Sequence, residues 1–390
     1  WSAARGVPVV PRGAGTGLAG AARAGGGWLV LDLSGLHRIR EVSVADRLAV
    51  VEPGVVTADL DRAARAVGLR YAPDPGSWES STVGGNIATN AGGLRCHAYG
   101  GTREAVLGLD VVLADGSLVR TGGRARRSVT GYDLTSLLVG SEGTLGVVVG
   151  ATVRLDPLPA GTATLVASFA DVEAAARAAT AVTAAGVRPA ALELLDEATL
   201  TAVDAAQGTH LHARGAALLL VRTEGFAAAA EADVVRDLVR TDAHHVVTST
   251  DADEGERLAA VRRLALPSVE RLGPVLVEDV AVPPSALAAA VRAVEHVAAR
   301  TGVPIATFAH AGDGILHPLV RADHPRSGEA VELVVRAALG LGGTLTGEHG
   351  VGRTKRAWLD LELDPATRAL HRRLKDALDP AGLLNPGVAI

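Results

Sequence analysis

The histidines that keep company stand near the C-terminal end of the chain. The run His310-Ala-Gly-Asp-Gly-Ile-Leu-His317 spaces two imidazoles around Asp313-Gly314, a dipeptide that favours a tight hairpin turn. If strands at 304–310 and 315–320 pair across that turn, both rings converge near it. Farther on, Thr346-Gly-Glu-His-Gly350 places Glu348 and His349 in a glycine-rich loop. Two imidazoles and one carboxylate are a ligand set for a divalent metal with positions left open. A spaced histidine pair alone is more often structural, and the added Glu-His doublet is what turns the reading toward a metal. The stretch Arg257-Leu-Ala-Ala-Val-Arg-Arg-Leu-Ala-Leu-Pro267 carries Arg262 and Arg263. An arginine there either grips a carboxylate bidentately or sits exposed on a helix.

The glycines are the second chemical signal. In Pro11-Arg-Gly-Ala-Gly-Thr-Gly-Leu-Ala-Gly20, Gly15, Gly17 and Gly20 match the GxGxxG of a Rossmann dinucleotide site. That site needs a helix whose N-terminus faces the pyrophosphate. Here Ala21-Ala-Arg-Ala24 runs into Gly25-Gly26-Gly27 and a strand, so no helix of useful length fits. What remains is a loop whose backbone N–H groups nest an anion, or a plain glycine-rich turn. Two further clusters follow, Ser81-Thr-Val-Gly-Gly-Asn-Ile-Ala-Thr-Asn-Ala-Gly-Gly93 after Pro73-Asp-Pro-Gly-Ser77, and Gly140-Ser-Glu-Gly-Thr-Leu-Gly146. Structural turns need one or two glycines, not three clusters of them.

In this order, with Tyr99-Gly100, Val106–Leu113, Ala114-Asp-Gly116 and Thr130-Gly-Tyr-Asp-Leu134 between them, the segments make the chain resemble FAD-binding flavoproteins of the vanillyl-alcohol-oxidase type. Within that fold it is most similar to the branch of glycolate oxidase catalytic subunits, D-lactate dehydrogenases and D-2-hydroxyglutarate dehydrogenases, from Val7 to about Val388. The resemblance implies an α+β protein. A two-part, PCMH-type FAD-binding domain would occupy 1–157, and an α/β, ferredoxin-like cap or substrate domain 158–390, with the tail 374–390 returning to the flavin.

The resemblance also assigns roles. Arg12, Gly13, Ala14, Gly15, Thr16 and Gly17 would cradle the pyrophosphate through backbone amides. Pro73, Gly76, Thr82, Gly84, Gly85, Asn86, Thr89, Gly92 and Gly93 would line the diphosphate and isoalloxazine, because a planar ring packed on backbone favours residues without Cβ. Glu142, Gly146 and Val148 would hold the adenosine end, and Asn385 is a further candidate from the tail. Some relatives tether FAD through a histidine in the first loop; the matching residue is Thr16, so FAD is expected bound but unlinked. His310, His317 and Glu348 would ligate a divalent metal, Zn²⁺ or Mn²⁺. His349 would be the general base and Arg262, with Arg263 its competitor, the carboxylate-binding cation. The implied reaction is oxidation of a small D-2-hydroxy acid, glycolate or D-lactate: the metal polarises the hydroxyl, His349 takes its proton, and hydride leaves Cα for flavin N5. One departure stands out, Ile315 where the family usually has Asn.

The elements that must carry these groups are legible in outline. Strands are expected at Val7–Val10, Trp28–Leu33, Leu48–Val51, Leu107–Leu113 and Gly146–Leu155. After Pro157 and Pro159, helices at Asp171–Ala185, Ala227–Arg240, Ser285–Arg300 and Gly328–Leu341 alternate with strands at Thr164–Phe169, Ala217–Val221, Val275–Val282 and Pro304–Phe308. Asp171 is an N-cap candidate; Gly186 and Gly302 are stops.

Composition bounds the rest. The 390 residues are 48% hydrophobic and carry a net charge of −5, which gives no basic surface for nucleic acid. Lys355 and Lys375 are the only lysines, a bias typical of a GC-rich genome. Cys96 is the single cysteine, so neither a disulfide within the chain nor a four-cysteine cluster of its own is possible. No run is long and apolar enough to span a membrane. The chain is expected to be soluble and cytoplasmic, reaching a membrane only through a partner. Electrons are expected to pass to an iron–sulfur subunit, a quinone, a cytochrome or a soluble carrier. With no methionine and Trp1 first, the sequence reads as entered part-way through its first domain. Three other readings stay open: a D-2-hydroxyglutarate dehydrogenase, a vanillyl-type phenol oxidase, and a non-catalytic flavin-binding subunit of an oxidase complex.

Overall fold

The structure is a computed structural model and describes residues 1–389. It divides into two compact units. The first holds Trp1–Arg95, Tyr99–Leu158 and the segment from Glu348 onward; the second holds Cys96–Ala98 and Pro159–Gly347. The returning tail is therefore longer than the expected 374–390. Its attachment starts just after Glu348, because Val351 and Gly352 donate their N–H groups to Glu142 and Arg353 donates its own to the Ala19 carbonyl at 2.8 Å.

In the first unit, β1 (Val9–Arg12) and β2 (Leu29–Asp32) pair in parallel. Parallel neighbours need a crossover, usually helical. Here the crossing segment contains no helix, as Gly25-Gly26-Gly27 demanded, so the GxGxxG match is not a Rossmann turn. The tail lies alongside β1: Val9 donates to Leu383 and accepts from Asn385, both at 2.8 Å. A five-stranded antiparallel sheet follows, ordered β3 (Ile39–Ser43), β4 (Leu48–Val51), β8 (Val147–Arg154), β6 (Val106–Val112) and β7 (Leu118–Gly122). β5 (Leu69–Arg70) and β9 (Asp156–Pro157) form a small separate pair. Ala49, Val51, Leu109, Val111, Ala151 and Val153 form a buried cluster with Leu60 and Ala64 of helix α1 (Thr57–Arg65) and Val83 and Ile87 of helix α2 (Val83–Thr89). That burial anchors α2, and with it the glycines at its start.

In the second unit, β10 (Thr162–Phe169), α3 (Val172–Ala184), β11 (Ala191–Leu195), α4 (Glu197–Gln207), β12 (Ala217–Glu224), α5 (Ala228–Val239) and β13 (Ala243–Ser249) run in sequence. The sheet order β13-β10-β12-β11 is that of a ferredoxin-like βαββαβ unit, with α4 inserted after its second strand. Asp171 caps α3 by accepting from the Ala174 N–H at 2.7 Å, and Gly186 (φ 82°) lies just past its end. The sheet continues through β16 (Ile305–His310) and β17 (Ile315–Arg321), all antiparallel. β12 is buried along nearly its whole length because both its faces are covered. Leu218 and Leu220 pack with Leu200 and Val203 of α4 and with Ala259 and Ala265 of α6 (Ala252–Glu270). Alternation turns its other side chains to the opposite face.

The single strand expected over Val275–Val282 is split into β14 (Val275–Val277) and β15 (Val280–Ala281). Its partner β17 carries Pro318, which has no N–H to return, so the ladder breaks where Glu278 donates to the Pro318 carbonyl at 3.1 Å. Helices α7 (Leu287–Thr301), ended by Gly302 at φ 70°, and α8 (Ser327–Gly340) complete the unit.

Candidate active site

The hairpin of β16 and β17 forms as its sequence requires, with Gly314 at φ 72° in the turn. Register then decides which side chains meet. Glu193 of β11 lies opposite His310, and Phe308 opposite His317. Leu195, Phe308 and Leu319 belong to the core cluster that includes α4 and α6. Side chains two residues apart share a face, so Glu193, His310 and His317 project on that same face. The rings of His310 and His317 stand edge to face with centroids 5.0 Å apart, and Phe308 packs 5.0 Å from His317. Ring nitrogens of the two histidines come within 4.8 Å of each other.

Glu193, only 1% exposed, faces His310 Nδ1 with its two oxygens at 2.8 and 3.0 Å. Beside a carboxylate Nδ1 carries the proton, which leaves Nε2 as the basic nitrogen of the neutral ring. The donor set therefore fits a divalent cation. The same carboxylate accepts from Arg262 Nε at 2.7 Å, and the Arg262 guanidinium lies 3.9 Å over the Phe308 ring. Of the two competing arginines, Arg262 is 12% exposed, whereas Arg263 is 53% exposed and pairs with Glu256. Arg262 is thus no solvated helix arginine; it belongs to the histidine face.

Still within this unit, buried Asp279 accepts from Thr346 Oγ1 at 2.9 Å and from the Gly347 N–H at 2.7 Å, fixing the loop that leads into Glu348-His349. Ile315 packs on Gly347 so closely that a Cβ there would meet it at 2.8–3.3 Å. Ile315 is thus an apolar wall against that loop.

In the first unit, Arg12, Gly13, Thr82, Gly84, Gly85, Gly146 and Val148 line one cleft, together with Pro11, Leu33, Pro53 and Ser141. Ala14, Gly15, Thr16 and Gly17 are exposed beside it. Several of the side chains assigned to the cofactor also brace the protein itself. Arg12 folds back on its own loop, donating from Nε and Nη2 to the Ala22 carbonyl. Thr82 caps α2 through the Gly85 N–H, Asn86 donates to Thr57 Oγ1 at 2.7 Å, and Thr89 bonds the Gly85 carbonyl. Buried Asn385 donates from Nδ2 to the carbonyls of Ala21 and Glu142. The Glu142 carboxylate accepts from Val351 and Gly352; burial pushes its carboxyl up, and those two bonds oppose the rise. Its side chain thus holds the loop after His349.

Some of these glycines also have a reason within the protein itself. A Cβ at Gly13, Gly84, Gly93 or Gly146 would collide with Thr82, Pro53, Asp74 or Val111, so there the protein itself excludes one. Among the glycines assigned to the cofactor, the space is open at Gly17 and Gly76. Pro73 is buried, Gly76 exposed, and Gly92 abuts the Glu348 carboxylate, with His349 Nε2 4.0 Å from Glu348 Oε1. Glu193 and Asp279 were missed by motif reading. Their one signal was a carboxylate inside an apolar run, Ala190-Ala-Leu-Glu-Leu-Leu195 and Val275-Leu-Val-Glu-Asp-Val280.

Residues 158–389 match the family described as FAD linked oxidases, C-terminal domain, and residues 1–122 match an FAD binding domain. The chain is 42% identical over 392 residues to the glycolate oxidase subunit GlcD of Bacillus subtilis, covering 98% of itself and 83% of that protein. It is 38% identical over 389 residues to a D-lactate dehydrogenase of Archaeoglobus fulgidus, covering 98% and 86%. Among solved structures, p-cresol methylhydroxylase superposes with a TM-score of 0.80 at 17% identity, covering 100% of this chain and 85% of that one. The 4-ethylphenol oxidase from Gulosibacter chungangensis gives 0.76 at 19%, with the same coverage. These two likenesses concern the fold. Among the described residues, no helix is long and apolar enough to cross a membrane.

Proposed function

Because the chain belongs to the FAD-linked oxidases, we propose that it oxidises a small D-2-hydroxy acid, glycolate or D-lactate, to the 2-oxo acid. The observation that carries this reading is the His310–His317 pair on one sheet face, with the Glu193 carboxylate facing His310 Nδ1. Phenol oxidation has no use for such a set. Bound FAD, held without a covalent link, would supply the hydride acceptor. A divalent cation such as Zn²⁺ or Mn²⁺ would supply Lewis acidity toward the α-hydroxyl.

The chain's own residues divide the remaining work. His310, His317 and Glu348 are the proposed ligands. His349 accepts the hydroxyl proton, a task suited to imidazole because its unperturbed pKa lies near neutrality. Arg262 uses Nε on Glu193, and its Nη groups are the proposed grip on the substrate carboxylate. Backbone of the first glycine loop and of 82–85 is proposed to take the FAD diphosphate, 73–76 and 92–93 the ring, and 142–148 the adenosine end; the shared cleft of Arg12, Gly13, Thr82, Gly84, Gly85, Gly146 and Val148 supports this. The word subunit in the name of the Bacillus relative supports a component that hands electrons to a partner, in the cytoplasm or at the membrane surface.

Dye reduction by FAD-loaded protein, with glycolate, D-lactate and L-lactate compared, tests the proposal. Turnover with glycolate or D-lactate is expected. A protein that holds FAD yet reduces no dye with any 2-hydroxy acid would be a flavin-binding subunit instead.

A further inference from the structure

Resting on that reading, we infer that Glu193 is a positioning residue that couples the two halves of substrate recognition, the metal-binding imidazole of His310 and the carboxylate-binding guanidinium of Arg262. One carboxylate serves both. Its Oε1 and Oε2 face His310 Nδ1 at 2.8 and 3.0 Å, and its Oε2 also accepts from Arg262 Nε at 2.7 Å. A 2-hydroxy acid presents its carboxylate and α-hydroxyl on adjacent carbons. A site that reads both must hold the two receiving groups at a fixed spacing, and a shared anion does this with one side chain.

A purely structural role explains the arrangement poorly. Glu193 is buried on a face that it shares with Val166, Leu195, Leu218, Leu220 and Phe308 as well as with His310 and His317. Burying a carboxylate there is costly, and an apolar side chain of similar volume commonly serves packing as well or better. The bonds it makes run to both groups that the proposed chemistry uses, and Arg262 is further immobilised by lying over Phe308, which packs on His317. Each ligand-side group is thus held by a neighbour that also touches the other.

The test uses full-length, FAD-loaded protein stripped by chelator and titrated with Zn²⁺ or Mn²⁺ in competition with a chromogenic chelator. Glu193→Gln keeps the shape and removes the charge. It is expected to bind metal 10–100-fold more weakly, the usual effect of losing the partner behind a ligating histidine, and to raise KM for the hydroxy acid while its melting temperature reports a folded protein. Arg262→Lys is expected to raise KM and leave metal affinity near wild type, separating the two arms. If Glu193→Gln does not fold, Glu193→Asp retains the charge but, being one methylene shorter, is expected to lose part of both effects. Wild-type metal affinity and KM in the folded Gln variant, or in Asp where Gln fails, would overturn the inference. If His310→Ala also binds metal like the wild type, the metal reading itself fails; if His310→Ala loses the metal while Glu193→Gln keeps it, only the coupling role falls.

Discussion

Gly76 and Gly84 are both assigned to the flavin, yet the protein leaves room for a Cβ at the first and none at the second, and two alanines separate the cases. At Gly84 an added Cβ would meet the Pro53 carbonyl oxygen at 2.9 Å and its Cα at 3.0 Å, with the ring closer still. Backbone and a proline ring cannot swing aside, so Gly84→Ala should destabilise the apoprotein by about 1–3 kcal/mol, the range for overpacking a filled site. At Gly76, apart from its chain neighbours, no protein atom lies within 4 Å of the added methyl and φ is not positive, so an alanine fits. Gly76→Ala should leave apoprotein stability within about 0.5 kcal/mol. If 73–76 face the isoalloxazine, the same methyl then intrudes on the ring, and an overpacking penalty of about 1–3 kcal/mol weakens FAD roughly 5- to 150-fold. Thermal melts of the apoproteins, together with quenching of FAD fluorescence on titration, read both quantities. Wild-type FAD affinity in Gly76→Ala would remove 73–76 from the cofactor's path; an unshifted melt of Gly84→Ala would contradict the close approach to Pro53.

Three further outcomes are expected. His349→Ala should keep FAD bound while slowing substrate-dependent flavin reduction by about 10²–10⁴-fold, the usual contribution of a general base; stopped-flow bleaching at wild-type rates would remove that role. Exhaustive chelation should abolish dye reduction and Zn²⁺ or Mn²⁺ restore it, whereas full activity after chelation would take the metal out of the mechanism. Bonds from Arg38 hold the Glu52 carboxyl down to about 2, below its ordinary value of 4.5. A depressed carboxyl lends stability that is complete above the unfolded-state pKa and lost as pH falls through the folded one. The stability gap between wild type and Glu52→Gln should therefore close as pH drops from about 4.5 to 2; a gap that widens on acidification would refute this.

What the sequence could convey followed from local chemistry. The His310/His317 hairpin was readable because Asp313-Gly314 dictates a tight turn and period-2 alternation dictates the face. The failure of GxGxxG to form a Rossmann turn was readable because three consecutive glycines leave no helix. Helices such as Val172–Ala184 lay within a residue or two of expectation, marked by Asp171 and Gly186. The unread parts depend on pairing between distant segments. That Glu193 meets His310 is set by the register of β11 on β16, and that Arg262 joins them by how α6 packs on the sheet. The break in Val275–Val282 came from Pro318 on the neighbouring strand. That Gly84 also lacks room for a Cβ was hidden, because the sequence cannot show Pro53 lying against it.

As proposed, this flavoprotein strips a hydride from the α-carbon of a D-2-hydroxy acid. Anaerobic titration of the purified holoprotein with glycolate, D-lactate and L-lactate, following the oxidised flavin band, tests it most directly. Stoichiometric bleaching by glycolate or D-lactate, lost in His349→Ala, is the predicted result. A flavin that stays oxidised with every 2-hydroxy acid offered would contradict it.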